Sequence, residues 1–196
     1  MKNPWIDLRP IPDKIDCLRE WVTDEEWEKA LRFGSDSRRR EWLAWRALIR
    51  ERVGRQTAIF YNRKGAPVLD PGLGWIGVSH CRGYVAVVWS ERPCAIDIEP
   101  LSRNFAAVLS RCCSDAERSL ADAHHPLFPA ALWCAKEALY KYGSQQGIES
   151  ALDFCHDLQI TRCDLGNETM EGTIAGSDPV VIHLLRKENI LAAYIL

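Results

Sequence analysis

The chain has 196 residues, enough for one large domain or two small ones around a real hydrophobic core. With 47% hydrophobic and 27% charged residues it has the composition of an ordinary globular protein, neither disordered nor fibrous. No apolar run is long enough to span a bilayer, and the opening MKNPWIDLRP lacks the apolar core of a secretory leader, so the expectation is a cytoplasmic protein with no membrane partner.

The elements follow in chain order. Trp5 to Leu8 reads as a short strand. Thr23-Asp24-Glu25-Glu26 is a capping box that opens a helix to about Phe33. Ser35 or Asp36 caps a second helix to about Val53, with Trp42, Leu43, Trp45, Leu48 and Ile49 at helical spacing. Trp75–Ser79, Tyr84–Ser90 and Cys94–Glu99 read as three strands. Helical patterns follow at Phe105–Arg111 and Ser114–Ala123. Next comes a firm helix from Pro129 to Tyr142, which Gly143 should stop. The tail holds strand-like runs at Phe154–Thr161, Glu171–Ala175, Val180–Leu185 and Ile190–Leu196. Each half therefore reads as helices plus an antiparallel meander, an α+β arrangement.

The net charge of −2 hides an asymmetry. Between Arg38 and Lys64 there are nine Lys/Arg and only two acids, Glu41 and Glu51, while much of the excess acid follows residue 90. The eight cysteines form no C-x-x-C pair, and Cys112-Cys113 with His124-His125 fits no common zinc spacing, so the thiols read as small buried hydrophobes.

The stretch CAIDIEP, Cys94 to Pro100, sets the functional question. Alternate strand residues share a face, so Asp97 and Glu99 project together. Two full charges ~6 Å apart repel by roughly 2.8 kcal/mol at an effective dielectric near 20. Either both acids reach solvent or arginine partners, or a cation lies between them, and oxygen-only ligands suit Mg²⁺. In WCAKEALYK, Trp133, Glu137 and Lys141 share one helix stripe; a solvated Glu–Lys pair would look the same, but a tryptophan one turn before it hints at a cleft. Ser79-His80 ends a strand before a tight turn, where both side chains can meet a phosphate. Adjacent strand residues point to opposite faces, so His80 is no base for Ser79. The arginine-rich second helix reads as a solvated basic face, a nucleic-acid contact or a grip on a phosphorylated small molecule.

Together these segments resemble the 4'-phosphopantetheinyl transferases, in the larger class where one chain holds two similar halves. Ala95-Ile96-Asp97-Ile98-Glu99 matches the family's Gly-Ile-Asp-x-Glu strand. Trp133 to Lys141 matches Trp-x-x-Lys-Glu-Ala/Ser-x-x-x-Lys. RCCSDAE, Arg111 to Glu117, matches a segment between them. Ser79-His80 and the Arg46–Arg50 helix fall in the same order, so the likeness runs from about Lys29 to Gly147. Three departures stand out. Gly65-Ala66-Pro67 replaces Gly-Lys-Pro and so lacks a phosphate-binding lysine, for which Lys64 would substitute. Cys112-Cys113 replaces an aromatic pair, and Cys81 follows His80 where a small polar residue is usual.

The resemblance implies a pseudo-dimeric fold of two antiparallel sheets packed with helices, with the active site between the halves. Residues 1–92 would bind the phosphates of coenzyme A, and 93–196 would carry the metal and catalytic residues. The implied reaction moves the phosphopantetheine arm of coenzyme A to a serine of an acyl, peptidyl or aryl carrier protein and releases adenosine 3',5'-bisphosphate. Asp97, Glu99 and Glu137 would hold Mg²⁺. Glu137, directly or through a water, would be the base, and Lys141 would reach the diphosphate. Ser79, His80, Lys64 and Lys29 would bind phosphates, with Arg46 a further candidate. Lys136 is expected to point elsewhere. A fused two-half chain needs no partner to complete one site, so a monomer is expected. Other classes remain: a nucleic-acid module, which leaves the three acids unexplained; a metal-dependent phosphohydrolase, which needs no protein acceptor; and a non-catalytic relative, against which the retained Asp, Glu, Glu and Lys argue.

Overall fold

The structure, a computed structural model, describes residues 3–148 and 152–196. The chain divides into two compact units, Met1–Arg92 and Pro93–Leu196. The first runs β1 (Trp5–Pro10), a 3₁₀ helix (Ile15–Trp21), α1 (Asp24–Leu31), α2 (Asp36–Val53), β2 (Ile59–Tyr61), β3 (Pro67–Leu69), β4 (Trp75–Cys81) and β5 (Tyr84–Ser90). Its main sheet is antiparallel in the order β1-β5-β4, with β2 and β3 a separate hairpin. The second runs β6 (Ala95–Pro100), α3 (Ala106–Cys112), α4 (Asp115–Arg118), α5 (Phe128–Gln145), β7 (Leu158–Asp164), β8 (Thr169–Ile174), β9 (Val180–Lys187) and β10 (Ile190–Ile195). Its sheet is antiparallel in the order β6-β10-β9-β8-β7. In both units the first strand pairs with the last, and the last pairs with the one before it. That shared wiring is the α+β pattern of two similar halves.

Local chemistry explains the first unit. Thr23 and Glu26 form the capping box reciprocally: the Thr23 hydroxyl accepts from the Glu26 amide at 3.2 Å, and the Glu26 carboxylate accepts from the Thr23 amide at 3.0 Å. Ser35 caps α2, and Gly54, at φ +145°, ends it. Leu43, Leu48 and Ile49 of α2 share a core with Val85, Val87 and Trp89 of β5, whose period of two marks one sheet face. Glu26 has a second task. Arg50 donates to both of its oxygens, at 2.6 and 3.0 Å, and Arg46 Nε lies 3.2 Å from it. Arg39 donates to the carbonyls of Ala30 and Phe33, satisfying the end of α1.

In the second unit α5 lies on the sheet, and its apolar residues join Leu158, Ile160, Met170, Ile174 and Leu191 in one core. Gly143 does not stop this helix. It is buried inside α5, where a Cβ would come within 3.1 Å of Leu152, and the chain turns only beyond it, with Gly147 at φ +77°. The Ser114–Ala123 pattern yields only the four-residue α4 followed by turns. Ser114 and Glu117 form a capping box at its start, and Glu117 is 1% exposed. Glu117 accepts from Lys136 Nζ at 2.5 Å and from the Ile160 amide at 2.9 Å, while Lys136 also donates to the Leu158 carbonyl at 2.6 Å. Lys136 thus turns away from the acidic stripe, as expected, and pins α5 to α4 and β7.

Candidate active site

The acidic pair sits on β6, an edge strand beneath α5. Asp97 and Glu99 lie opposite Ala193 and Leu191 of β10, residues of the core under α5. Ile96 and Ile98 on the other face are also buried. Asp97 is 6% exposed, so the solvated-acid explanation fails for it. Its Oδ1 accepts from Lys141 Nζ at 2.7 Å, and the same ammonium donates to the Ile96 carbonyl at 3.1 Å. Glu99 Oε1 accepts from the Trp133 indole at 2.9 Å and from Arg103.

Glu137 lies on α5 one turn after Trp133 and one turn before Lys141, and the helix brings all three over β6. Burial pushes its carboxyl up to about 7, and the negative charges of Asp97 and Glu99 add to that rise against the pull of Lys141. Glu99 is raised as well, by burial and then by Asp97. Three carboxylates of one unit therefore feel one another. The tryptophan of the stripe faces inward: Trp133 is 8% exposed and stacks on Phe154 at 5.7 Å.

Among the described residues no group of three or more His, Cys, Asp or Glu stands arranged to grip a metal ion. Lys141 and Arg103 hold the two strand carboxylates instead. The donor set itself fits a hard divalent ion: oxygen only, mutually repelling, and partly withdrawn from water.

The first unit carries the residues expected to contact phosphate. Ser79 and His80 are successive residues of β4; Ser79 is buried and His80 half-buried. His80 Nε2 lies 3.2 Å from Arg38 Nη1, and its Nδ1 lies 3.4 Å from Glu41 Oε2. Arginine only donates, so these partners assign the tautomer with the proton on Nδ1. Sequence reasoning passed over Arg38. Lys29 is exposed, with its ammonium 4.7 Å from the centre of the Trp42 ring. Lys64 lies in the exposed β2–β3 turn, where Gly65 takes φ +79°. Arg46 differs from the expected surface cation. It is 1% exposed and stacks on Trp42 at 3.2 Å and Trp45 at 3.9 Å. It also donates to the Trp42 carbonyl and the Tyr61 hydroxyl and pairs with Glu26. Its guanidinium is a core group, and a ligand would have to replace these contacts to reach it.

Fold and acidic site together define a class of enzyme, and comparison with known proteins agrees. The sequence profile of the 4'-phosphopantetheinyl transferase superfamily matches residues 93–194, which take in β6, α5 and the three acids Asp97, Glu99 and Glu137. The chain belongs to that superfamily and is a transferase. It is 30% identical over 142 residues to the 4'-phosphopantetheinyl transferase AcpT of Escherichia coli K12, covering 66% of this chain and 72% of that protein. AcpT of E. coli O157:H7 matches to the same extent. Among the described residues no helix is long and apolar enough to cross a membrane.

Proposed function

We propose that the chain transfers the 4'-phosphopantetheine group of coenzyme A to a serine of an acyl, peptidyl or aryl carrier protein, in a Mg²⁺-dependent reaction that releases adenosine 3',5'-bisphosphate. One observation supports this above the rest: Asp97, Glu99 and Glu137 act on one another electrostatically, with Lys141 against Asp97, in a chain of this family.

Asp97, Glu99 and Glu137 are the residues to hold the ion. When bound, Mg²⁺ neutralises charge on the coenzyme's diphosphate. The serine oxygen attacks the β-phosphorus, and the bond from that phosphorus to the bridging oxygen breaks. The electron pair leaves on the α-phosphate of adenosine 3',5'-bisphosphate. Glu137 takes the serine proton, directly or through a water. Lys141 turns from Asp97 to the diphosphate as a point charge. In the first unit, Lys29 serves the 3'-phosphate from its seat over Trp42, and Arg46 supports that ring from within the core. His80 donates to a phosphate from Nδ1 in exchange for its contact with Glu41, and Arg38, already in contact with Nε2, adds a permanent cation where the Gly-Lys-Pro lysine is missing. Lys64 and Ser79 complete the phosphate contacts.

Release of adenosine 3',5'-bisphosphate, followed with an apo carrier protein and coenzyme A, tests this. It should require Mg²⁺, stop with EDTA, and vanish in Asp97→Asn. Undiminished release in EDTA would refute the metal role.

A further inference from the structure

Glu99 meets two donors at a single oxygen. Trp133 donates to Oε1 at 2.9 Å, and Arg103, four residues along the chain, donates to that same atom. The two donors differ in freedom. Trp133 is fixed in the core, whereas the Arg103 side chain is 38% exposed, against 12% for Glu99. Arg103 also has aromatic neighbours in the same position. Its guanidinium carbon lies 5.2 Å from the centre of the Phe105 ring and 5.7 Å from that of Trp133. It lines a cavity of about 480 Å³ with Leu101, Asn104, Phe105 and Leu109, so there is room beside Arg103 for its side chain to move away from Glu99. Lys141 plays the matching part on Asp97 but is tied down further by the Ile96 carbonyl.

We propose that Arg103 is a displaceable counter-ion, neutralising Glu99 in the metal-free protein and competing with the divalent cation for that carboxylate. This rests on the metal role proposed for Asp97, Glu99 and Glu137. A guanidinium and a divalent ion on one carboxylate repel each other, so one must yield. The guanidinium can yield cheaply, because the two aromatic faces keep hold of it. Arg103 is therefore a positioning residue that weakens metal binding when no coenzyme is present and keeps two neighbouring acids from facing each other bare.

Binding of Mn²⁺ to the full chain, read from the electron paramagnetic resonance of the free ion, tests this without reference to turnover. Without coenzyme, Arg103→Gln and Arg103→Met should both bind Mn²⁺ more tightly than the wild type. The gain should be on the order of fivefold, the scale of a half-exposed ion pair. Arg103→Lys, which keeps the charge, should stay within about twofold of the wild type. Equal or weaker binding in the two neutral variants, with unchanged thermal melts, would overturn the counter-ion role while leaving the metal site standing. No Mn²⁺ binding by any of the proteins, with or without coenzyme A, would overturn the metal role of the three carboxylates and the counter-ion with it.

Discussion

Glu137 is one carboxyl asked to do two things, and its surroundings explain how. Its folded pKa, about 7, lies above the ordinary carboxylate value because of burial and the charges of Asp97 and Glu99. Relative to a neutral side chain, such a group costs the fold nothing below about pH 4.5, and a growing amount as pH climbs to about 7. In EDTA the melting temperature of Glu137→Gln should therefore match the wild type near pH 4, pull ahead between pH 4.5 and 7, and hold a constant lead above that. A lead that shrinks with rising pH would contradict the raised pKa. The same variant should lose transfer by about 10²–10⁴-fold while keeping its fold. Near-normal turnover at saturating Mg²⁺ would remove Glu137 from the reaction. Arg38 stands at the other end of legibility. Nothing in RRREW distinguishes it from its neighbours, and only the fold brings it beside His80.

The helix α5 is held by a buried ion pair rather than by apolar packing alone. Lys136 is fully buried, as is Glu117, and Glu117 also serves the backbone at Ile160 and Ser114. Lys136→Met leaves a buried carboxylate without its counter-ion and should cost about 3–5 kcal/mol in urea unfolding. Adding Glu117→Gln removes the stranded charge yet keeps an acceptor for Ile160, so the double variant should recover part of the loss. A double variant weaker than the single would show that Lys136 matters for packing and not for charge. Gly172 in β8 carries a simpler constraint. A Cβ there would sit 2.6 Å from Leu139 and 2.9 Å from the Gln159 carbonyl oxygen, so Gly172→Ala should destabilise by roughly 1–3 kcal/mol. Elements with strong periodicity or caps were legible: the Thr23–Glu26 capping box, α2, and β4 through β6. The three-residue strands β2 and β3 and the 3₁₀ helix were not, because so few residues carry no period. Gly143 misled because a glycine required for close packing looks, in sequence, like one that ends a helix.

At the scale of the whole chain, the basic run between Arg38 and Lys64 proves to be largely internal chemistry. Arg39 caps α1, Arg46 and Arg50 share Glu26, Arg52 pairs with Asp7, and Arg40 and Arg55 pair with Asp13 and Glu20. Counting charges along the sequence cannot reveal this, since each partner lies elsewhere in the chain. The Arg50–Glu26 pair should make the fold acid-sensitive. Burial raises the Glu26 carboxyl, but Arg50 and the Thr23 amide more than offset it, so its folded pKa falls below the ordinary value. Its contribution is present above about pH 4.5 and fades as pH drops through that lower pKa. Glu26→Gln should flatten this part of the acid-denaturation profile. The acidic site was legible because strand alternation and helical i, i+4 spacing are fixed geometry, so Asp97 and Glu99 on one side and Trp133, Glu137 and Lys141 on the other could be placed on faces from spacing alone. Which cation neutralised each acid was not, because Arg103 and Lys141 reach their partners through side-chain torsions that spacing does not specify. The most direct measurement is the intact mass of an apo carrier protein after incubation with this chain, coenzyme A and Mg²⁺. We expect the carrier to gain the mass of one phosphopantetheine group, on serine; an unchanged carrier, with coenzyme A consumed or untouched, would contradict the assignment.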